Sequence, residues 1–535
     1  MLIPKAKEQN FLEGEFLFDT LIYKTDSEDG VFAQTYLNCY YPKVLGAGES
    51  PNLTFVKKAG LKVGGYCLSI QDKITIEYAE REGLRNALST LIVSMQLQDN
   101  GFSLQKQYVK DEPECDYRSV LIDLARGLPN YERLKEDVKR LALAKCNYLH
   151  LHLMDTFGIC YESNVFKMEE GIRGTTLYTK QQMKEFVAYC EMFGIEVVPE
   201  FEIPAHASYL VKSHPELVCK TELENPSMEV VCAGSENTYK FVEDMLDEYA
   251  EIFSSNYIHM GGDELYFDDL PEWNWKANWQ HCKVCQKKMA EEGISGDQEL
   301  YYYVVRRVNE IVSKRGKTLI MYNDQIDISK PVNLPRDIII QFWRIAYKYR
   351  GPHVDCTYEK FLEAGFKVIA SPYEYTYIDD EGGTNPERTS WFDFKDYKET
   401  RAMYEDSIVG GETCAWEYGN PEYTHYEFSF PSASILVLAK MWNSQPVAYN
   451  FTYRRVLTKL LLGIETPKGY DLFDLFGSIM PARNNTVKCY VDVGHALLGE
   501  PNIAKHAAAL HSFKNTYSPI FLASVTRYVD NLEVR

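Results

Sequence analysis

A chain of 535 residues with 45% hydrophobic side chains is long enough for two or three domains with sizeable cores. Its 77 acidic side chains outnumber 57 lysines and arginines, and the formal net charge of -20 repels a phosphate backbone or an anionic bilayer. Neither a nucleic-acid nor a membrane partner is therefore expected, while a homo-oligomer is compatible with the composition. No apolar run of roughly 18 residues is long enough to span a bilayer. The start, MLIPKAKEQNFLEGE, has no basic stretch followed by an apolar one, so a cytoplasmic protein without a signal peptide is expected.

In chain order, residues 1–112 read as a small α+β domain. GGYCLSIQDKITIEYAEREGLRNALSTLIVSMQ predicts two strands, a turn and an amphipathic helix, with a boundary near Asp111 to Asp116. From Ser119 onward, short β-rich runs alternate with stretches of helical period. The predicted strands are 119–125, 147–153, 195–201, 257–261, 318–322, 337–343, 366–371 and 407–416. Helical segments such as YERLKEDVKRLALAK and QELYYYVVRRVNEIVSKRG fall between them. Eight strand-helix repeats predict an α/β (β/α)₈ TIM barrel over 113–460, and 461–535 returns to helical patterning as a C-terminal extension.

The thirteen cysteines are odd in number and scattered, which reads as buried free thiols in a reducing compartment. HCKVC sets His281, Cys282 and Cys285 at metal-like spacing. With no second CxxC to complete four ligands, no metal site is expected.

In a barrel of this kind, reactive residues lie where strands end. Arg126 follows the first predicted strand, Asp155 the second, His206 the third, and Asp263 with Glu264 the fourth. Tyr322 ends the fifth strand, Trp343 the sixth, and Tyr377 and Asp379 follow the seventh. Trp416 and Glu417 end the eighth. Aromatics that stack on C–H faces, beside carboxylates and an arginine for hydroxyls, suit a sugar ring. A phosphate ligand would require several cations and a glycine-rich helix start, which the rim lacks. Asp263 and Glu264 are neighbours, and on an extended segment they point apart, poorly placed to flank one glycosidic bond as acid and nucleophile. An N-acetylated sugar supplies its own nucleophile, the acetamido carbonyl oxygen. One carboxylate then orients its N–H while the other protonates the leaving oxygen, and an ionised Asp263 is expected to raise the pKa of Glu264.

HMGGDE at 259–264 resembles the His-x-Gly-Gly-Asp-Glu signature of glycoside hydrolase family 20, the β-N-acetylhexosaminidases. RSVLIDLARG, NYLHLHLMD and GIEVVPEFEIPAHA are similar to its first three strands, in the family's order. GYCLSIQDKITIEYAEREGLRNALSTL resembles the small domain that precedes its barrel, and the likeness covers roughly residues 60 to 460. The resemblance implies a retaining exo-β-N-acetylhexosaminidase that uses no cofactor and takes an oligosaccharide or glycoconjugate ending in N-acetylhexosamine. It assigns Glu264 as general acid and base, Asp263 as the residue orienting the acetamido group, and Tyr377 as the donor to its carbonyl. Arg126 and Asp379 would hold ring hydroxyls, and Trp343 and Trp416 would line the pocket, with Tyr322 as a weaker wall. Asp155 and His206 would support the acid.

The chain departs from the pattern in three places. MDTFG leaves only Asp155 where members commonly have Thr-Asp-Asp, MYNDQ stands where a tryptophan usually follows the fifth strand, and Glu417 follows Trp416 directly where the family's glutamate comes two residues later. Three other readings compete. They are a metal-dependent barrel enzyme using His152, His206, His259, Asp263 and Glu264, a sugar-binding protein without catalysis, and a disaccharide-releasing or transglycosylating relative.

Overall fold

The computed structural model describes residues 2–443 except 99–100, 167–174, 268–276, 344–356, 379–402, 405–406 and 419–425. Asp379 and the expected extension over 461–535 lie outside the described residues.

Up to Asp111 the chain builds a mixed sheet in the order Glu8–Phe18, Phe102–Asp111, Tyr66–Ile70, Ile74–Tyr78, Leu53–Lys57. The Tyr66–Ile70 and Ile74–Tyr78 strands pair antiparallel as a hairpin. The helix Arg81–Ser94 follows, its start capped by the Glu80 carboxylate, which accepts the Glu82 and Gly83 backbone N–H groups. This helix is buried continuously from Gly83 to Ile92, because one side meets the sheet and the other the barrel. Arg85 is its clasp. Fully buried, it donates to the carbonyls of Cys146, Phe193 and Gly194, at and just beyond the ends of two barrel helices where carbonyls lack helical partners. Asp111 forms a second clasp, accepting from Lys145, Tyr66 and Trp442 within 3.0 Å.

The barrel strands are β1 (Tyr117–Asp123), β2 (Tyr148–His152), β3 (Glu196–Glu200), β4 (Tyr257–His259), β5 (Thr318–Tyr322), β6 (Ile339–Phe342), β7 (Lys367–Ala370) and β8 (Ile408–Ala415). Neighbours pair in parallel around the ring, and β8 closes on β1 with Gly411 opposite Arg118. Each overlaps a strand expected from the sequence. The outer layer includes α1 (Tyr131–Leu143), α2 (Lys180–Met192), α3 (Glu236–Ala250), α4 (Asp297–Lys314), α5 (Tyr358–Glu363) and α6 (Tyr426–Trp442).

Because side chains alternate along a strand, the inward positions form layers. At the N-terminal end Tyr117, Val198, Ile320, Ile339 and Ile369 pack as an apolar plug, with Tyr148 and Tyr257 against it. Two residues further along each strand the filling turns polar: His150, Glu200, His259, Gln341 and Glu412, all buried and mutually bonded. Another step up stand His152, Tyr322, Trp343 and Trp416, where the barrel opens.

Candidate active site

The chain leaves β4 through Gly261 and Gly262, at φ +67° and +89°, and reaches Glu264 at φ +52°. Both glycines are required. A Cβ on Gly261 would lie 1.9 Å from a Glu202 oxygen, and one on Gly262 would lie 2.9 Å from the Tyr301 hydroxyl. Glu202 accepts the Gly262 N–H at 3.0 Å, and Tyr301 donates to the Gly262 carbonyl at 2.7 Å, so the turn is held from both sides. His206 and Glu417 also have positive φ, at +52° and +54°. For side-chain-bearing residues this conformation is uncommon, and it concentrates here at the rim.

The turn changes the geometry expected of the carboxylate pair. The segment is not extended, and the two side chains converge instead of diverging. His206 Nε2 lies 3.8 Å from Asp263 Oδ2 and 3.5 Å from Glu264 Oε2. The other imidazole nitrogen lies 3.7 Å from Asp155 Oδ2. Asp155 in turn binds Arg126 at 2.6 Å and His152 at 3.0 Å, and His152 meets Glu200 on its far side. A chain of alternating charge thus runs from the barrel's polar centre to Glu264.

The pKa shifts follow from that alternation. Burial opposes charge on His152, but Glu200 and Asp155 outweigh it and lift the ring to about 10. Burial likewise opposes charge on His206, and Asp155, Glu264 and Asp263 overcome it, raising its pKa. Burial would raise Asp155, but Arg126, His206 and His152 hold it well below the usual carboxylate range. The carboxyl pushed upward is Asp263, to about 7, chiefly by burial and then by Asp324 and Glu264, with His206 opposing. Buried Glu202 is likewise raised well above the usual carboxylate range, by burial and then by Asp263.

Arg126 is fixed by Asp155 and by Asp123 at 3.2 Å, and its guanidinium stands 5.1 Å over the Trp416 ring. Asp123 also accepts the N–H of Glu417 at 3.0 Å, which ties the end of β8 to the end of β1. Trp416 belongs to an aromatic wall. Tyr377 stacks on Trp343 at 5.7 Å and 7°, and Trp416 lies 5.8 Å from Tyr377 and 6.4 Å from Tyr322. Tyr377 is placed by a two-residue strand, Tyr377–Ile378, pairing parallel with the top of β8. Burial first, then Asp263 and Asp324 among nearby charges, raise its pKa, so its phenol is a proton donor at neutral pH. Three buried polar atoms here, Asp263 Oδ1, Tyr322 OH and Trp416 Nε1, have no hydrogen-bond partner among the described residues. Groups of this kind at a rim suit a polar ligand.

The structure thus brings together Arg126, Asp155, His206, Asp263, Glu264, Tyr322, Trp343, Tyr377, Trp416 and Glu417. Four participants were not singled out from sequence: Asp123, Glu200, Glu202 and Asp324. Asp324 binds the Glu264 N–H and the Trp343 indole; the acidic residue two positions beyond Tyr322, in the alternating register, was the available signal. His206, Asp263 and Glu264 bring donor atoms within 4.8 Å of one another, the geometry of the metal-enzyme reading. The cationic Arg126 beside both carboxylates disfavours a further cation there. The described cysteines are free and almost all buried, and Cys282 and Cys285 are joined by Cys219 and Cys232 as four neighbouring thiols, while His281 is exposed and outside the group.

Residues 115–435 match the family model for the catalytic domain of glycosyl hydrolase family 20. A beta-hexosaminidase of Porphyromonas gingivalis is 29% identical over 235 residues, covering 41% of this chain and 29% of that protein. One from Vibrio furnissii is 26% identical over 413 residues, 71% of this chain and 64% of its own length. The chain therefore spans less than two thirds of either relative. Among solved structures, the GH20 exo beta-N-acetylglucosaminidase from Vibrio harveyi in complex with N-acetylglucosamine superposes with a TM-score of 0.70 at 21% identity. That alignment covers 86% of this chain and 75% of that one, a likeness of fold.

Proposed function

The chain belongs to glycosyl hydrolase family 20, a family of glycoside hydrolases, and on that premise we propose that it is a retaining exo-β-N-acetylhexosaminidase. Its substrate is a terminal β-linked GlcNAc or GalNAc on an oligosaccharide or glycoconjugate, cleaved with assistance from the sugar's own acetamido group. The observation that carries this reading is the convergence of Asp263 and Glu264 on His206, facing an aromatic wall.

In the first step the acetamido carbonyl oxygen bonds to the anomeric carbon as the glycosidic C–O bond breaks. Glu264 delivers its proton to the leaving oxygen, and the sugar is left as an oxazolinium ion. Asp263 accepts the acetamido N–H, which makes that carbonyl a better nucleophile. A substrate N–H is the partner that favours the ionised form of a carboxyl raised to about 7. Tyr377 donates to the acetamido oxygen, and Trp343 and Trp416 shape the pocket around the methyl group. In the second step water bonds to the same carbon as that carbon's bond to the acetamido oxygen breaks, and Glu264 takes the water's proton, so the acetamide is restored and configuration is retained. Arg126, held by Asp123 and Asp155, presents its guanidinium to ring hydroxyls.

The test compares aryl N-acetyl-β-glucosaminide and galactosaminide with the plain β-glucoside, using wild type, Glu264→Gln and Asp263→Asn. Loss of the general acid should lower the rate on poor leaving groups about 10² to 10⁴-fold. Equal cleavage of the plain glucoside, or full activity in Glu264→Gln, overturns the reading.

A further inference from the structure

We propose that Cys219, Cys232, Cys282 and Cys285 form a tetrathiolate zinc site that joins the loop carrying His206 to the loop following Glu264. The four residues come from two separated stretches. Cys219 and Cys232 lie between β3 and α3, after His206, and Cys282 and Cys285 lie between β4 and α4. All four are nearly or fully buried, and their sulfurs lie within 4.8 Å of one another. The sulfurs stand 3.8 Å apart for Cys219 and Cys285, 3.8 Å for Cys232 and Cys282 and 3.6 Å for Cys232 and Cys285. Zinc bound to four sulfurs at about 2.3 Å in a tetrahedron sets sulfur–sulfur edges of about 3.8 Å. A disulfide would require about 2.05 Å, and all four thiols are free.

At Gly234 the loops touch backbone to backbone, since an added Cβ would meet the Val284 carbonyl at 2.7 Å and Cys285 Cα at 2.8 Å. Other bonds lock the seam to the active-site rim. Val231 N–H donates to the Pro204 carbonyl, Ala207 N–H to the Glu229 carbonyl, and the Trp279 indole to the Val231 carbonyl. Binding converts four thiols to thiolates, releases four protons and leaves a complex of net charge -2. Soft sulfur donors in a tetrahedron select zinc over magnesium or calcium.

The experiment measures metal in the full-length chain, purified with reductant from cells grown in zinc-replete medium and dialysed. About one zinc per chain is expected by mass spectrometry of the metals. Cys219→Ser/Cys285→Ser should lose it, and Cys39→Ser, at the C-terminal end of the helix Glu28–Asn38 and outside the cluster, should keep it. Should the double variant not fold, wild-type protein stripped and refilled with cobalt(II) should show the visible bands of a tetrahedral tetrathiolate complex. The proposal is overturned by wild-type zinc below about a tenth per chain. Zinc retained in a folded double variant, iron in place of zinc, a disulfide among the four cysteines, or cobalt spectra without thiolate bands overturn it equally.

Discussion

Asp324 accepts the backbone N–H of Glu264 at 2.9 Å through one carboxylate oxygen and the indole N–H of Trp343 at 3.0 Å through the other. One residue at the end of β5 therefore sets both the proposed acid and the pocket wall. Asp324→Asn keeps the size but replaces one acceptor with a donor, so one of the two partners must move. A displacement near 1 Å costs about 10²-fold where reacting groups must align. The expected result is a fall in kcat/KM of about 10 to 10²-fold, with altered tryptophan fluorescence and little change in unfolding temperature.

The Asp263 carboxyl, lifted to about 7 by burial and by Asp324 and Glu264, makes a pH prediction. If the ionised form receives the acetamido N–H, kcat/KM falls as pH drops below about 7, roughly tenfold per unit. Asp263→Asn should be slow at every pH and lack that limb. A pH profile over several units checks this.

The same group sets a stability difference. Its folded pKa lies above the unfolded value near 3.9, so its contribution is fully present below about pH 4 and is lost as pH rises through about 7. Asp263→Asn, neutral throughout, should therefore be more stable than wild type at pH 8, by on the order of 1–3 kcal/mol. The difference should close near pH 4. Denaturant melts at the two pH values measure it.

Arg126 neutralises two buried carboxylates, Asp123 and Asp155. Arg126→Met should destabilise the fold by about 3–5 kcal/mol, because buried Asp123 loses its cation and Asp155 is left with the two imidazoles alone. Arg126→Lys keeps the charge but not the fork. It should recover most of the stability while kcat/KM stays at least about tenfold down, since a point charge does not reproduce bidentate bonding. Thermal melts and steady-state kinetics together separate the two effects.

Gly261→Ala tests the turn. The new Cβ would fall within bonding distance of the Glu202 carboxyl at a backbone φ of +67°, so both sterics and conformation oppose it. A loss of more than about 3 kcal/mol, or failure to accumulate folded protein, is expected. Glu202→Ala should partly restore folding in the double variant.

The sequence alone determined the barrel, because each strand is a short local run of β-forming apolar residues set between stretches of helical period. It also showed which strand ends bear polar groups, with Asp263 and Glu264 in HMGGDE after β4. What only the tertiary structure decided is how those ends meet. The positive φ at Glu264 turns two adjacent carboxylates onto one imidazole, and burial raises the pKa of Asp263. Asp324 reaches under Glu264 from the next strand, and four cysteines spread from 219 to 285 come within 4.8 Å of one another. These relationships depend on parallel register and loop packing between segments far apart in the chain, and local alternation carries no record of them.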